Sequence, residues 1–393
     1  MTDELGLFED EDQRERKPKR DTRRIKLAVF GLVVLALIGG GVWYGLRMLS
    51  DIGGYDDFSG AGESDIVVEV KGGDSTGAIA TTLKDQGVVA SAKAFIAAAE
   101  SEAKVRSVQP GYYVMRTKVS GKDAVTAIVN PKARVGNLQI KAGTQLDDIT
   151  NGTNVTPGIF SLLSKASCAD LNGKSTCVPA EELRKTAETA DLAALGVPDW
   201  AVADASRAPE AKRRLEGLVM PDVYEVKPGS SAEELWKKLL SDSSAVLQSA
   251  GMPALADATG FTPYQVLVMG SLVQREAITA DFTKVSRVTY NRLAKPMELQ
   301  YDSTVNYVLD RPAIRTRSED RGKAGGYNTY ANMGLPPTPI ASVSREALEA
   351  AAKPAEGPWV YFVRCKKDGT SCFATSLPEH QANVKLAEDN DAY

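Results

Sequence analysis

From Thr262 to Ala277 the chain reads TPYQVLVMGSLVQREA, and this stretch fixes the centre of the fold. Thr262 is a natural helix N-cap, Pro263 takes the first helical position, where its missing N–H is harmless, and Gln265 can close a capping box. The helix then runs through Met269, Leu272 and Val273. Glu276 follows them by seven, four and three residues, so it shares their inward stripe, while Gln274 and Arg275 point elsewhere. A carboxyl on an apolar face is costly unless it is paired or kept protonated. Two readings are open: an ion pair with Arg287 or Arg292, or a carboxyl whose raised pKa suits a general acid.

Downstream lie Asn291-Arg292-Leu293, then Leu299-Gln300-Tyr301-Asp302-Ser303-Thr304-Val305, Tyr327-Asn328-Thr329-Tyr330, and Gly334-Leu335-Pro336-Pro337-Thr338-Pro339-Ile340. Amides, tyrosines and a carboxylate in loop-like sequence suit hydrogen bonding and stacking to sugars. Gln300, Asp302, Tyr327, Asn328 and Tyr330 are the candidate contacts. His380, the only histidine, begins the last helix, as a surface residue or a cleft contact. The proline run makes a rigid turn that can also shape a cleft. The basic stretch Arg311 to Gly326 has no assigned role.

Upstream, Val68-x-Val70-Lys71-x-Gly73 followed by Ile79 recurs 70 residues later as Leu138-x-Ile140-Lys141-x-Gly143 followed by Ile149. Each copy reads as a strand, a glycine turn and the start of a helix. Ala92 to Lys104 is an alanine-rich helical stretch, and Pro110-Gly111-Tyr112-Tyr113-Val114 is a turn and strand. A second such element, Pro221 to Val226, follows the helical region Ala180 to Leu218. The next helix starts at Ser231, with Glu234 completing a capping box. Strand-helix-helix-strand over residues 66–116 is a LysM-like layout, a small fold that serves glycan binding or a purely structural role.

Leu27 to Leu46 runs for twenty residues without a charge, long enough to cross a bilayer as a helix. The basic segment Arg14 to Lys26 precedes it, which keeps the N-terminus in the cytoplasm and sends the body outside. Leu49-Ser50-Asp51-Ile52 is not a small-x-small cleavage site, so an uncleaved anchor is expected in place of a signal peptide. The first 48 residues carry 9 basic and 8 acidic side chains against a total of −4, leaving the exported part near −5 and nucleic acid an unsuitable partner. The glycine-rich Asp51 to Ser64 reads as a flexible tether.

Four cysteines form two local pairs, Cys168 with Cys177 and Cys365 with Cys372, which suits disulfides in an oxidising compartment. If Asp368-Gly369 is a two-residue hairpin turn, Cys365 faces Cys372 directly. Zinc is disfavoured, with no Cys-x-x-Cys and one histidine, and no cofactor is implied.

Gly270 to Ala277, Leu299 to Val305, Tyr327 to Tyr330 and Gly334-Leu335-Pro336-Pro337 resemble, in order and spacing, the endolytic murein transglycosylase family (MltG, YceG-like). The resemblance extends to Leu215-Glu216-Gly217 with Pro221-Asp222-x-Tyr224, and to Ala350-Ala351-Ala352-Lys353-Pro354 leading to Tyr361-Phe362-Val363. It implies lytic cleavage of peptidoglycan between N-acetylmuramic acid and N-acetylglucosamine, with Glu276 as the catalytic acid/base. It also implies peptidoglycan glycan strands, the membrane and peptidoglycan synthases as partners. Gln274 stands where many relatives carry a second acidic residue, and Ser303 where they often have proline. The expected protein is α+β: a cytoplasmic tail (1–26), a single transmembrane helix (27–48), a linker (49–64), a LysM-like module (65–134) and a catalytic region (135–393). A non-catalytic wall-binding scaffold, and a hydrolytic muramidase using Asp302 or Asp281 as second carboxylate, are the alternatives.

Overall fold

The structure is a computed structural model that describes residues 54–309, 318–323 and 325–392. The expected tail, membrane helix and first part of the linker lie outside those residues, as do position 310 and positions 311–317 and 324 of the basic stretch. Among the described residues no helix is long and apolar enough to cross a membrane.

The chain from Asp57 onward forms a single unit. It begins with β1 (Asp65–Val70), α1 (Thr76–Asp85), α2 (Ala92–Ala99), β2 (Gly111–Arg116), α3 (Gly121–Ile128) and β3 (Arg134–Val135). The three strands make an antiparallel sheet in the order β1-β2-β3, with Val68 opposite Tyr113. Ser75, Ser91 and Ser120 cap the three helices by accepting the amide three residues on, which satisfies donors the helix itself cannot. Val68, Leu83, Phe95, Met115 and Ile128 fill the core between sheet and helices. The strand-helix-helix-strand order is therefore present, with a third helix and strand added. The tether is shorter than its composition suggests: Ala61 bridges to Val119, and Glu63 N–H and Ser64 C=O both bond Thr117. Backbone pairing overrides the flexibility of the glycines there.

Next come β4 (Asn137–Ile140), β5 (Ile149–Asn151), β6 (Asn154–Thr156), α4 (Ile159–Ala166), β7 (Asp170–Leu171), β8 (Lys174–Ser175), α5 (Ala180–Thr189), α6 (Asp199–Ala205) and β9 (Asp222–Glu225). β4 pairs antiparallel with β9, as β1 does with β2. The repeat extends to side chains. Tyr113 donates its hydroxyl to the carbonyl of Gln109, and Tyr224 donates to that of Met220, each four residues back. One expectation fails: Ile149 starts a hairpin strand, not a helix, and the helix waits until Ile159. Asn151-Gly152 between β-branched neighbours is a hairpin signal that outweighs the repeat, and Gly152 has φ +62°.

The remainder holds α7 (Ala232–Ser249), α8 (Pro263–Glu276), α9 (Phe282–Ala294), α10 (Asp302–Asn306), α11 (Ser318–Arg321), α12 (Arg345–Ala352), β10 (Tyr361–Arg364), β11 (Ser371–Ala374) and α13 (Leu377–Asp389). Both expected capping boxes form, at Ser231 with Glu234 and at Thr262 with Gln265. α8 is buried from Val266 through Val273 on every side, more than the single stripe its pattern suggests. Gly270 permits this, since a Cβ there would come within 2.8 Å of Val343 Cγ1, just ahead of α12.

Cys168–Cys177 and Cys365–Cys372 are joined as disulfides. The second hairpin differs from the expected register: Val363, not Cys365, lies opposite Cys372. Cys365 and Lys366 both donate their amides to Thr370 C=O, and Gly369 has φ +93°. A longer turn with a bulge replaces the two-residue turn, and the cysteines bridge at a Cα separation of 5.6 Å.

Gly217, between α6 and β9, has φ +75°, and an added Cβ would lie 2.3 Å from Pro339 Cβ. Gly217→Ala combines a left-handed non-glycine residue with overpacking, so it should lower stability by about 2–4 kcal/mol, read as a reduced urea midpoint.

Candidate active site

Glu276 is the last residue of α8, and the chain turns to extended conformation at Ala277. The side chain is half-buried. Its Oε1 accepts the backbone N–H of Ser303 at 3.2 Å. Burial is the main reason its pKa rises to about 7, and the Asp302 charge pushes the same way. Hydrogen bonding from Ser303 and the Arg275 charge act against the rise. The partial negative charge at a helix C-terminus adds to the cost of ionising a carboxyl there.

The ion-pair reading has no support in the geometry. Arg287 Nε donates to Ala355 C=O, and Arg292 is spent on the carbonyls of Val360, Glu298 and Leu299. Gln274 and Arg275 do point away from the stripe: Gln274 Oε1 accepts the Ser344 amide, and Arg275 Nη1 reaches Gly143 C=O.

The Ser303 amide is held by a hydroxyl network. Gln300, at φ +56°, donates its N–H to Thr329 C=O at 3.0 Å, and Tyr301 N–H donates to Thr329 Oγ1 at 2.9 Å. Thr304 Oγ1 lies 2.9 Å from Thr329 Oγ1 and donates to Tyr301 C=O. The segment before α10 is thus tied to the Tyr327–Tyr330 block. Tyr330 adds a second tie, donating its hydroxyl to Asp302 Oδ1 at 2.7 Å. Arg321 lies 3.3 Å from Asp302 and stacks over the Tyr330 ring.

Glu276, Asp302 and Tyr330 are brought together, and the other candidates sit around them in different ways. Tyr327 is buried with Leu272, Leu299 and Ile340, its hydroxyl 2.8 Å from Thr338 Oγ1. Asn328 is buried too, its amide clamping the carbonyls of Arg321 and Lys323. Gln300 is exposed and bonds Glu298. His380 stacks on Tyr361 at 5.1 Å, and burial together with the Arg292 charge lowers its pKa. Asp281 is buried, with Oδ2 accepting the Ser371 amide at 2.7 Å, so it fastens the β10–β11 hairpin.

Residue-by-residue reasoning missed Glu216. It is 2% exposed and accepts hydrogen bonds from Leu146 N–H and the Tyr307 hydroxyl. Burial raises its pKa to about 7. A carboxyl set among Leu215, Gly217, Leu218 and Val219 was the available signal.

A carboxyl titrating near 7 in the folded chain and near its ordinary value when unfolded binds its proton more tightly when folded. Stability therefore falls as pH rises from about 4.5 to 7. Glu276→Gln removes this penalty, so at pH 8 the variant should exceed wild type by up to about 3 kcal/mol in urea denaturation, with little difference at pH 4.

A model of the YceG-like family matches residues 68–386. The chain is 28% identical over 359 residues to the endolytic murein transglycosylase of Bacillus subtilis (strain 168), covering 88% of this chain and 89% of that one. It is 26% identical over 367 residues to the endolytic murein transglycosylase of Streptococcus pneumoniae serotype 2, covering 90% of this chain and 63% of that longer protein. A crystal structure of a yceG-like protein from Listeria monocytogenes superimposes with a TM-score of 0.54 at 26% identity, over 82% of this chain and 99% of the other. With the family model spanning most of its length and a solved fold agreeing, the chain belongs to the YceG-like family.

Proposed function

We propose that this protein is an endolytic lytic transglycosylase that cleaves peptidoglycan between N-acetylmuramic acid and N-acetylglucosamine, with Glu276 as acid and then base. The observation that carries this is a half-buried carboxyl on the rigid end of α8, with a pKa near 7 and, among the described residues, no cationic side chain hydrogen-bonded to it. Near neutral pH such a group exists in both forms, as an acid/base pair requires. The names of the B. subtilis and S. pneumoniae relatives point to the same substrate.

In the first step Glu276 gives its proton to the glycosidic oxygen as the bond from muramic acid C1 to that oxygen breaks. The N-acetylglucosamine end leaves as an alcohol. In the second step the Glu276 carboxylate takes the proton of the muramic acid C6 hydroxyl while O6 bonds to C1. The product is a 1,6-anhydro sugar, water is not consumed, and Glu276 ends protonated as it began. One carboxyl suffices because the nucleophile belongs to the substrate and is already close.

Asp302 is the feature that favours a second reading, hydrolysis. It lies close enough to raise the pKa of Glu276, and an inverting or retaining hydrolase needs a second carboxylate. Its bonds to Tyr330 and Arg321 suit instead a structural and electrostatic role. Residues 27–48 serve as a membrane anchor in this proposal, with the N-terminus cytoplasmic and the body outside. The β1–β2 module, LysM-like in layout, holds glycan strands, and cutting near the membrane ends the elongation of new strands beside their synthases.

Mass spectrometry of peptidoglycan digested by residues 49–393 should find anhydro-muramic ends, reduced at least about 100-fold in Glu276→Gln. Reducing ends lost in the variant would assign hydrolysis. No cleavage by folded wild type would leave a wall-binding scaffold.

A further inference from the structure

Glu216 is a buried carboxyl that the reaction above does not use. It stands in the turn between α6 and β9, beside a polar cavity of ≈ 210 Å³ lined also by Gln145, Asp147, Arg213 and Asn306. Two groups face its oxygens at bonding distance. Leu146 N–H lies 3.2 and 3.3 Å from Oε1 and Oε2, and the Tyr307 hydroxyl donates to Oε2 at 2.9 Å. Arg213 stacks over the Tyr307 ring at 4.3 Å and reaches its carbonyl, so that ring is gripped from two sides.

Tyr307 is the C-cap of α10, a helix of five residues. One turn of helix has little stability of its own and lies where its neighbours hold it. At the opposite end of that turn, Ser303 N–H donates to Glu276 Oε1. A single short element is therefore pinned to Glu216 at one end and presents its amide to Glu276 at the other. The segment that supplies Leu146 also supplies Gly143, whose carbonyl accepts from Arg275, the residue next to Glu276. One end of the frame thus meets the Glu276 carboxyl through the Ser303 amide, and the other ties down the neighbouring Arg275.

We propose that Glu216 is a positioning residue: through Tyr307 and Leu146 it fixes α10 so that the Ser303 amide stays on the Glu276 carboxyl. The inference rests on Glu276 being the acid/base. A hydrogen bond to the ionised carboxyl lowers its pKa, so a slackened α10 lets the Glu276 pKa climb. The other charged and titratable groups acting on Glu276 are Arg275, Asp302, Tyr301 and Tyr330. Those acting on Glu216 are Arg213, Asp147, Arg275, Tyr264 and Tyr327. None of them is altered by the substitutions that follow.

The test is carbon-13 NMR titration of the Glu276 carboxyl in the full chain, its signal assigned by loss in Glu276→Gln, for wild type, Glu216→Gln, Tyr307→Phe and the double variant. Each single variant should raise the midpoint by about half a unit to one unit, the size of one hydrogen bond, and the double variant by no more than the larger of the two. The acid/base limb of the cleavage rate should move with it. Tyr307→Phe keeps the ring and its stacking, so it decides the matter if Glu216→Gln does not fold. A folded Tyr307→Phe with an unmoved midpoint would overturn the proposal, even if activity fell. Wild type that titrates as expected but cuts no glycan would sink the transglycosylase reading, while the midpoints still decide the role of Glu216.

Discussion

The hydrogen bond from the Ser303 amide to the Glu276 carboxyl joins two parts of the chain with opposite mechanical character. One partner ends a helix gripped by the core on every side over most of its length. The other begins a single turn of helix, buried at Ser303, Thr304 and Val305, whose own backbone bonds are too few to fix its place. Rigidity on the Glu276 side fixes where the carboxyl stands, and burial sets its proton affinity. The network of Thr329, Thr304, Tyr330 and Tyr307 brings the second partner to it. Removing the burial would return the carboxyl to an ordinary surface acid, ionised at neutral pH and unable to give a proton.

Most of the residues around the site are consumed in holding loops together. Tyr327 and Asn328 have almost no surface, yet they seat the block from which Tyr330 reaches Asp302. Their polar groups are satisfied inside the protein, as buried polar groups must be. Such residues matter to a cleft by fixing its walls. Glu276, half-buried, and Glu216, buried, both carry raised pKa values because burial disfavours the ionised form.

The front of the molecule carries a structural echo. β1 with β2, and β4 with β9, repeat a strand pair whose second member is locked by a tyrosine hydroxyl four residues back. What lies between the paired strands differs: two helices in the first case, two hairpins and three helices in the second. Long insertions between fixed strands cost little, since loop-closure entropy grows slowly with length.

Local chemistry was legible wherever it depends on near neighbours. The capping boxes at Ser231 and Thr262, the strands at Val68 and Leu138, the inward position of Glu276 and the pairing of nearby cysteines all follow from spacing within a few residues. Features set by competition between neighbours were harder: the Asn151-Gly152 hairpin displaced an expected helix, and a bulge moved Cys372 opposite Val363. Separations of 27 residues between Glu276 and Ser303, and of 91 between Glu216 and Tyr307, leave no periodic trace. Spacing within one helix was enough to put Glu276 on the inward stripe, because helical period sets it among apolar side chains, but it did not single out Glu216, the more deeply buried carboxyl. What either carboxyl touches came from the fold, because hydrogen-bond partners are chosen by packing distant segments together, and packing has no period to read.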